Sequence, residues 1–102
     1  MEFKLAPVAK NDVLEIADYY AAISAQLAEE FVTELENTLH SLCLQPRLGS
    51  RRYAHLLPDQ SLRFWQLDRF PFLLFYRIDA PWIDVLRVLH ERRDISANLV
   101  TK

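Results

Sequence analysis

The run Phe72–Ile78 (FLLFYRI) is the segment that most limits what this chain can fold into. Nearly every position is apolar, without the alternation that marks a strand with one wet face. Such a strand lies in the middle of a sheet and is covered on both sides. Neighbouring strands and a cover must therefore be found within 102 residues.

The neighbours are legible on either side. Leu62–Leu67 precedes the run, and Ile83–Leu89 follows it across an Asp79-Ala80-Pro81 turn. Three strands with connections this short form an antiparallel meander. Phe3–Val8 is short and β-compatible and reads as a first strand. The cover comes from the first half of the chain. Asp12 and Glu15 have the spacing of a capping box, with Asp in the Ser/Thr role. Val13, Ile16, Ala17 and Tyr20 then fall at i, i+3, i+4 and i+7, one face of a helix. Ser24 suits the cap of a second helix. Its stripe reads Ala28, Phe31, Val32, Leu35, Leu39, Leu42 and Cys43, and Pro46 stops it. So few residues separate the two helices that they form an antiparallel hairpin. Pro46–Gln60 is polar, basic and irregular, and residues 95–102 form a tail with at most one helical turn. The expectation is one α+β domain over residues 1–102, in the order β-α-α-β-β-β. Its N-terminal helical hairpin packs on one face of a curled, mainly antiparallel sheet.

Composition excludes several functions. Gly49 is the single glycine, so no glycine-rich phosphate loop can form. Cys43 is the single cysteine, at an apolar helical position, which makes it a packed thiol and points to a reducing compartment. His40, His55 and His90 lack metal-ligand spacing. No stretch reads as a signal peptide or a membrane span. The net charge of −2 argues against DNA binding through bulk charge. That average hides a split. Residues 1–45 carry two basic and eight acidic side chains, whereas residues 46–102 carry ten basic and six acidic. Two faces with different partners are expected.

The late basic groups gather in Val85–Asp94 (VLRVLHERRD), where an apolar strand with Arg87 embedded in it ends in a polar knot. Arg87 reads on the same strand face as Ile83, Val85 and Leu89, so its stem is buried. It is either an ion-pair lock, with Glu15, Asp18 or Asp94 as its carboxylate, or a direct contact to a partner. Arg63 opens its strand beside Trp65 and reads as a surface contact. His90 reads as a polar cap at a strand end.

The Asp12, Ile16, Tyr20 helix and the Leu39, Leu42, Pro46, Gly49 junction belong to a wider pattern. With Leu62-Arg63, Phe70-Pro71-Phe72, Phe75-Tyr76-Arg77, Leu86-Arg87-Val88-Leu89-His90 and Arg92-Arg93-Asp94, they resemble the ParE-type toxins of the RelE/ParE superfamily. These are toxins of bacterial type II toxin–antitoxin systems. The resemblance spans residues 3–95. It implies a cytoplasmic toxin held inactive by a cognate ParD-like antitoxin. It also implies DNA gyrase as the target, inhibited by binding and not by cutting. No cofactor, metal, membrane or specific nucleic-acid binding by the toxin alone is implied. RelE-like relatives instead cleave messenger RNA on the ribosome, and fold alone does not choose.

Metal-free RNA cleavage needs a base, an acid and cations for the phosphate. Arg63, Arg87 and His90 are the candidates for those roles. Cleaving relatives usually add an acid–base residue near the C-terminus, often Tyr, and no Tyr follows Tyr76 here. For a binding toxin, the target side is expected at Arg63, Arg92 and Arg93 with the tail. The antitoxin side is expected at Tyr20, Phe31 and Trp82, large apolar groups beside the hairpin or at a turn.

Overall fold

A computed structural model of the protein describes residues 1–99. Four strands, β1 (Glu2–Leu5), β2 (Arg63–Gln66), β3 (Phe72–Asp79) and β4 (Trp82–His90), form one sheet. Its order is β1-β4-β3-β2. The β2–β3 and β3–β4 pairs are antiparallel, and β1 joins β4 in parallel. Helices α1 (Pro7–Ile23) and α2 (Ala25–Leu44) separate β1 from the rest, and α3 (Ile95–Leu99) follows β4.

The helix starts follow local chemistry. Pro7 stands in the first turn of α1, where a missing N–H costs nothing and the fixed φ suits a helix. The first helix therefore begins five residues before Asp12, and β1 ends at Leu5, short of the expected Val8. Asp12 is not a cap: it lies inside α1 and is buried. Ser24 behaves as expected. Its Oγ accepts from Leu27 N at 3.3 Å, and its own N–H closes α1 on Tyr20 O at 2.8 Å, so one residue joins the helices. The stripe of α2 buries Phe31, Leu35, Leu39 and Leu42.

Strand β3 is buried from Phe72 through Tyr76, the two-sided cover its composition demands. On one face α1 and α2 pack on Leu74, Tyr76, Ile83, Val85 and Val88. On the other, Leu62, Leu73, Phe75 and Leu89 form a second core. The helical hairpin supplies only the first cover. The second comes from Tyr53, Leu56 and Leu57, in the irregular segment, and from Ile95 and Leu99 of α3. The expected tail thus holds a short helix over residues 95–99, and that helix is docked; residues 100–102 lie outside the described residues.

A bulge interrupts the β3–β4 ladder. Tyr76 faces Val85, but Phe75 faces Arg87, so Leu86 is the extra residue. Side-chain alternation is reset at that point. Ile83 and Val85 point to the first core, while Arg87 and Leu89 lie in register with Phe75 and Leu73 of the second. Arg87 therefore does not share a face with Ile83 and Val85, because the alternation rule fails across one inserted residue.

Candidate functional site

Arg87 joins three elements. Its Nε donates to Asp12 Oδ2 at 2.7 Å and its Nη2 to Asp12 Oδ1 at 2.9 Å, a two-pronged guanidinium–carboxylate pair. Its Nη1 donates to Asn98 O of α3 at 3.1 Å. The same carboxylate accepts from Val88 N at 3.0 Å. β1 pairs with β4 only as far as Val85, so Asp12 supplies an acceptor to the strand where its neighbour has ended. The pair is largely buried, with side chains 18% and 8% exposed. Hydrogen bonding to Asp12 raises the guanidinium's pKa above its ordinary value, against a lowering by desolvation. The lock reading of Arg87 is the one the geometry supports, but its carboxylate is Asp12 and not Glu15, Asp18 or Asp94. Asp94 instead accepts from Ala97 N at 3.2 Å and so holds the start of α3.

Of the other candidate cleavage residues, Arg63 does not converge on Arg87. Arg63 sits opposite Tyr76, and Arg87 opposite Phe75, with β3 between them. Two strand spacings separate their backbones by about 10 Å, and successive residues of β3 face opposite sides. Arg63 Nη1 donates to Arg47 O at 3.2 Å and Gly49 O at 3.0 Å, so its head ties β2 to the irregular segment. The expected free surface contact is partly a tether. His90 does approach Arg87, in a shallow cleft of about 250 Å³ with Asp12, Glu15, Phe72 and Arg93. Its Nδ1 accepts from Arg92 N at 3.1 Å, and its ring meets the Phe72 ring edge-on at 5.4 Å. That is the geometry of a polar cap. Arg92 is exposed, and Arg93 donates to Asn98 Oδ1 at 3.2 Å.

The apolar candidates divide by exposure. Phe31 is 0% exposed and meets Tyr20, Phe70 and Phe72 in an aromatic cluster, so it offers no surface in this structure. Tyr20 is half-buried in the same cluster; burial and the adjacent Tyr19 raise its hydroxyl pKa. Trp82 is also half-buried, with the Lys4 ammonium 5.8 Å from its ring. The residues α1 leaves open are Leu14, Tyr19 and Ile23, each more than 60% exposed. The sequence pattern singled out Tyr20 on this helix and passed over its neighbour Tyr19. The Ile16–Tyr20 phase puts Tyr19 outside the core. Asp12 was missed as Arg87's partner for a related reason. Pro7 was the available signal, since a helix beginning there makes Asp12 interior.

Among the described residues no group of three potential ligands stands ready for a metal, and no helix is long and apolar enough to cross a membrane. Burial raises the pKa of the Cys43 thiol, which disfavours the reactive thiolate.

Known proteins resemble the chain over nearly its whole length. The family model for the ParE toxin of type II toxin–antitoxin system, parDE, matches residues 3–95. Toxin ParE1 of Mycobacterium tuberculosis is 32% identical over 99 residues in each of two strains, CDC 1551 / Oshkosh and H37Rv. That match covers 95% of this chain and 96% of the relative. A solved structure titled "Chromosomal ParDE TA system from P. aeruginosa" superposes with a TM-score of 0.72. It is 22% identical, covers 88% of this chain and 95% of that one, and bears on the fold. With the α+β fold and the 3–95 match in agreement, the chain belongs to the ParE toxin family of type II toxin–antitoxin systems.

Proposed function

We propose that this toxin inhibits DNA gyrase by stoichiometric binding and is neutralised by a ParD-like antitoxin. The observation that carries the binding mode is the occupation of the arginines. A phosphate-cleaving site needs cations free to meet the developing charge. Here Arg87 is neutralised by Asp12 and held by Asn98, and Arg63 lies across β3 from it, so the two cannot close on one phosphate. The target-facing side is Arg92 and Arg93 with the outer surface of α3, and Arg63 contributes from β2. The antitoxin side is the exposed apolar row of Tyr19 and Ile23, one turn apart on α1 and next to Tyr20. An amphipathic antitoxin helix suits such a row. Trp82 is a secondary contact at the start of β4.

The deciding experiment sets supercoiling by purified gyrase beside messenger-RNA cleavage on ribosomes, with wild-type toxin and His90→Ala. Inhibited supercoiling by both proteins with intact RNA is expected. RNA cleavage lost by about 10²–10⁴-fold in His90→Ala would instead establish the ribonuclease of the RelE type.

A further inference from the structure

The segment between α2 and β2 gathers charge that the fold does not neutralise. Arg47, Arg51 and Arg52 are exposed on it, and Arg63 is half-exposed at the start of β2. No carboxylate lies within ion-pair distance of any of the four among the described residues. The one acid on the segment, Asp59, is turned to Ser61, whose N–H and hydroxyl donate to it at 3.1 and 2.7 Å. Arg69 and Arg77 are ion-paired elsewhere, with Glu30 and Asp84.

Two of these side chains are held in place, and the other two flank them in sequence or through the backbone. The antiparallel bridge between Ser50 and Phe64 sets Arg51 and Arg63 beside each other in register. Like charges so placed repel. Arg51 Nη2 is nonetheless clamped to Gln60 O at 2.8 Å, and Arg63 is clamped to the carbonyls of Arg47 and Gly49. Such bonds fix a guanidinium without cancelling its charge, and leave it other N–H donors. Arg52 lies over the Tyr53 ring at 5.6 Å.

We infer that Arg47, Arg51, Arg52 and Arg63 form a contact ridge for the phosphate backbone of duplex DNA. An array of guanidiniums with two of its members fixed fits a stiff, evenly charged polyanion. A flexible acidic peptide would lose more freedom on docking there. Single strands are read by stacking on open aromatic faces. Tyr53 is half-buried, packed on Phe64 and Phe75 and covered by Arg52, so the segment presents no open platform. Contacts to phosphate carry no sequence information, which agrees with a toxin that selects no DNA site. The inference deepens the gyrase reading, because gyrase holds duplex DNA, and it rests on that reading only for its biological setting.

The test measures binding of the full-length toxin to a short labelled duplex by fluorescence anisotropy, as a function of salt. The variants are Arg47→Gln/Arg52→Gln, which spares the two clamped arginines, and Lys4→Gln/Lys10→Gln as a charge-matched control. Four phosphate contacts give a loss of affinity of about 150-fold between about 50 and 200 mM salt, and two contacts about 12-fold. The ridge variant is expected to show the shallow dependence and the lysine control the steep one. A wild-type salt slope in the ridge variant overturns the proposal. So does an equal loss in the control, absence of duplex binding at low salt, or equal competition by single-stranded DNA or poly-glutamate. Supercoiling assays on the same proteins separate the two readings. Duplex binding through the ridge without gyrase inhibition removes the gyrase reading and leaves the ridge. Gyrase inhibition without duplex binding does the reverse.

Discussion

Arg87 and Asp12 are the pair on which single substitutions should act most strongly. Arg87→Ala leaves a buried carboxylate facing no cation, at a cost on the order of 3 kcal/mol. Asp12→Ala is expected to cost at least as much, because it strands the guanidinium and also removes the acceptor of Val88 N–H. Arg92→Ala, at an exposed position, should cost under about 0.5 kcal/mol. Urea unfolding of the three variants checks the ranking, and an Arg87→Ala protein of wild-type stability would sink the lock. Tyr76 offers a pH-dependent test. Its hydroxyl accepts from Gly49 N at 2.9 Å and donates to Pro46 O at 2.7 Å. Burial raises its pKa above the ordinary value of 10.0, outweighing the lowering by the Gly49 hydrogen bond. A raised tyrosine pKa stabilises the fold fully below pH 10 and loses that contribution as pH rises through the folded value. Tyr76→Phe should therefore lose about 1–3 kcal/mol near neutrality. It should also fall less steeply than wild type above pH 10 in unfolding curves. A Cβ on Gly49 would lie 2.3 Å from the same hydroxyl, which explains the chain's one glycine at that place.

At the scale of elements, α3 is the piece whose role changed most between sequence and structure. Five residues cannot hold a helix alone. Ile95 and Leu99, 7% and 6% exposed, dock it on the second core, and Arg87 and Arg93 hold Asn98. Deleting residues 95–102 would thus unroof the sheet as well as remove a candidate target surface. Ile95→Ala isolates the packing, and about 2 kcal/mol of destabilisation is expected, because a terminal element can relax into the space. Hydrogen exchange should show faster exchange at Ala97 and Asn98 while the amides of β3 keep their protection. Unchanged exchange in α3 would mean that the helix is held without Ile95. The other elements were legible because their signals are local. Ser24 caps, Pro46 terminates, and the α2 stripe recurs at helical spacing within one segment.

For the whole molecule, a hairpin on one face and loop segments with a short helix on the other make a sheet covered by unequal layers. The hairpin keeps the row of Tyr19 and Ile23 open. A partner that covers this row binds only the folded toxin, and so raises its stability by mass action. Under the proposed reading the toxin–antitoxin complex should melt several degrees above the toxin alone. Calorimetry of the two samples at equal toxin concentration checks this, and coincident melting temperatures would count against the row as the antitoxin site.

The sequence by itself determined the α+β order, the antiparallel meander, the central place of β3 and the hairpin joined at Ser24. Each follows from periodicity or a cap within a few residues. It also carried, in the ordered motifs from Asp12 to Asp94, the resemblance that the family match then established. Only the tertiary structure decided which arginines are held and which are open. The Arg87–Asp12 pair spans 75 positions, and its geometry depends on one bulged residue, Leu86, which turns the strand's alternation over. Likewise, Arg63 finds its acceptors in and just after the short 3₁₀ turn Pro46–Leu48. Pairing of charges is set by which distant segments come to lie side by side. Apolar periodicity, which decides the elements, says nothing about that.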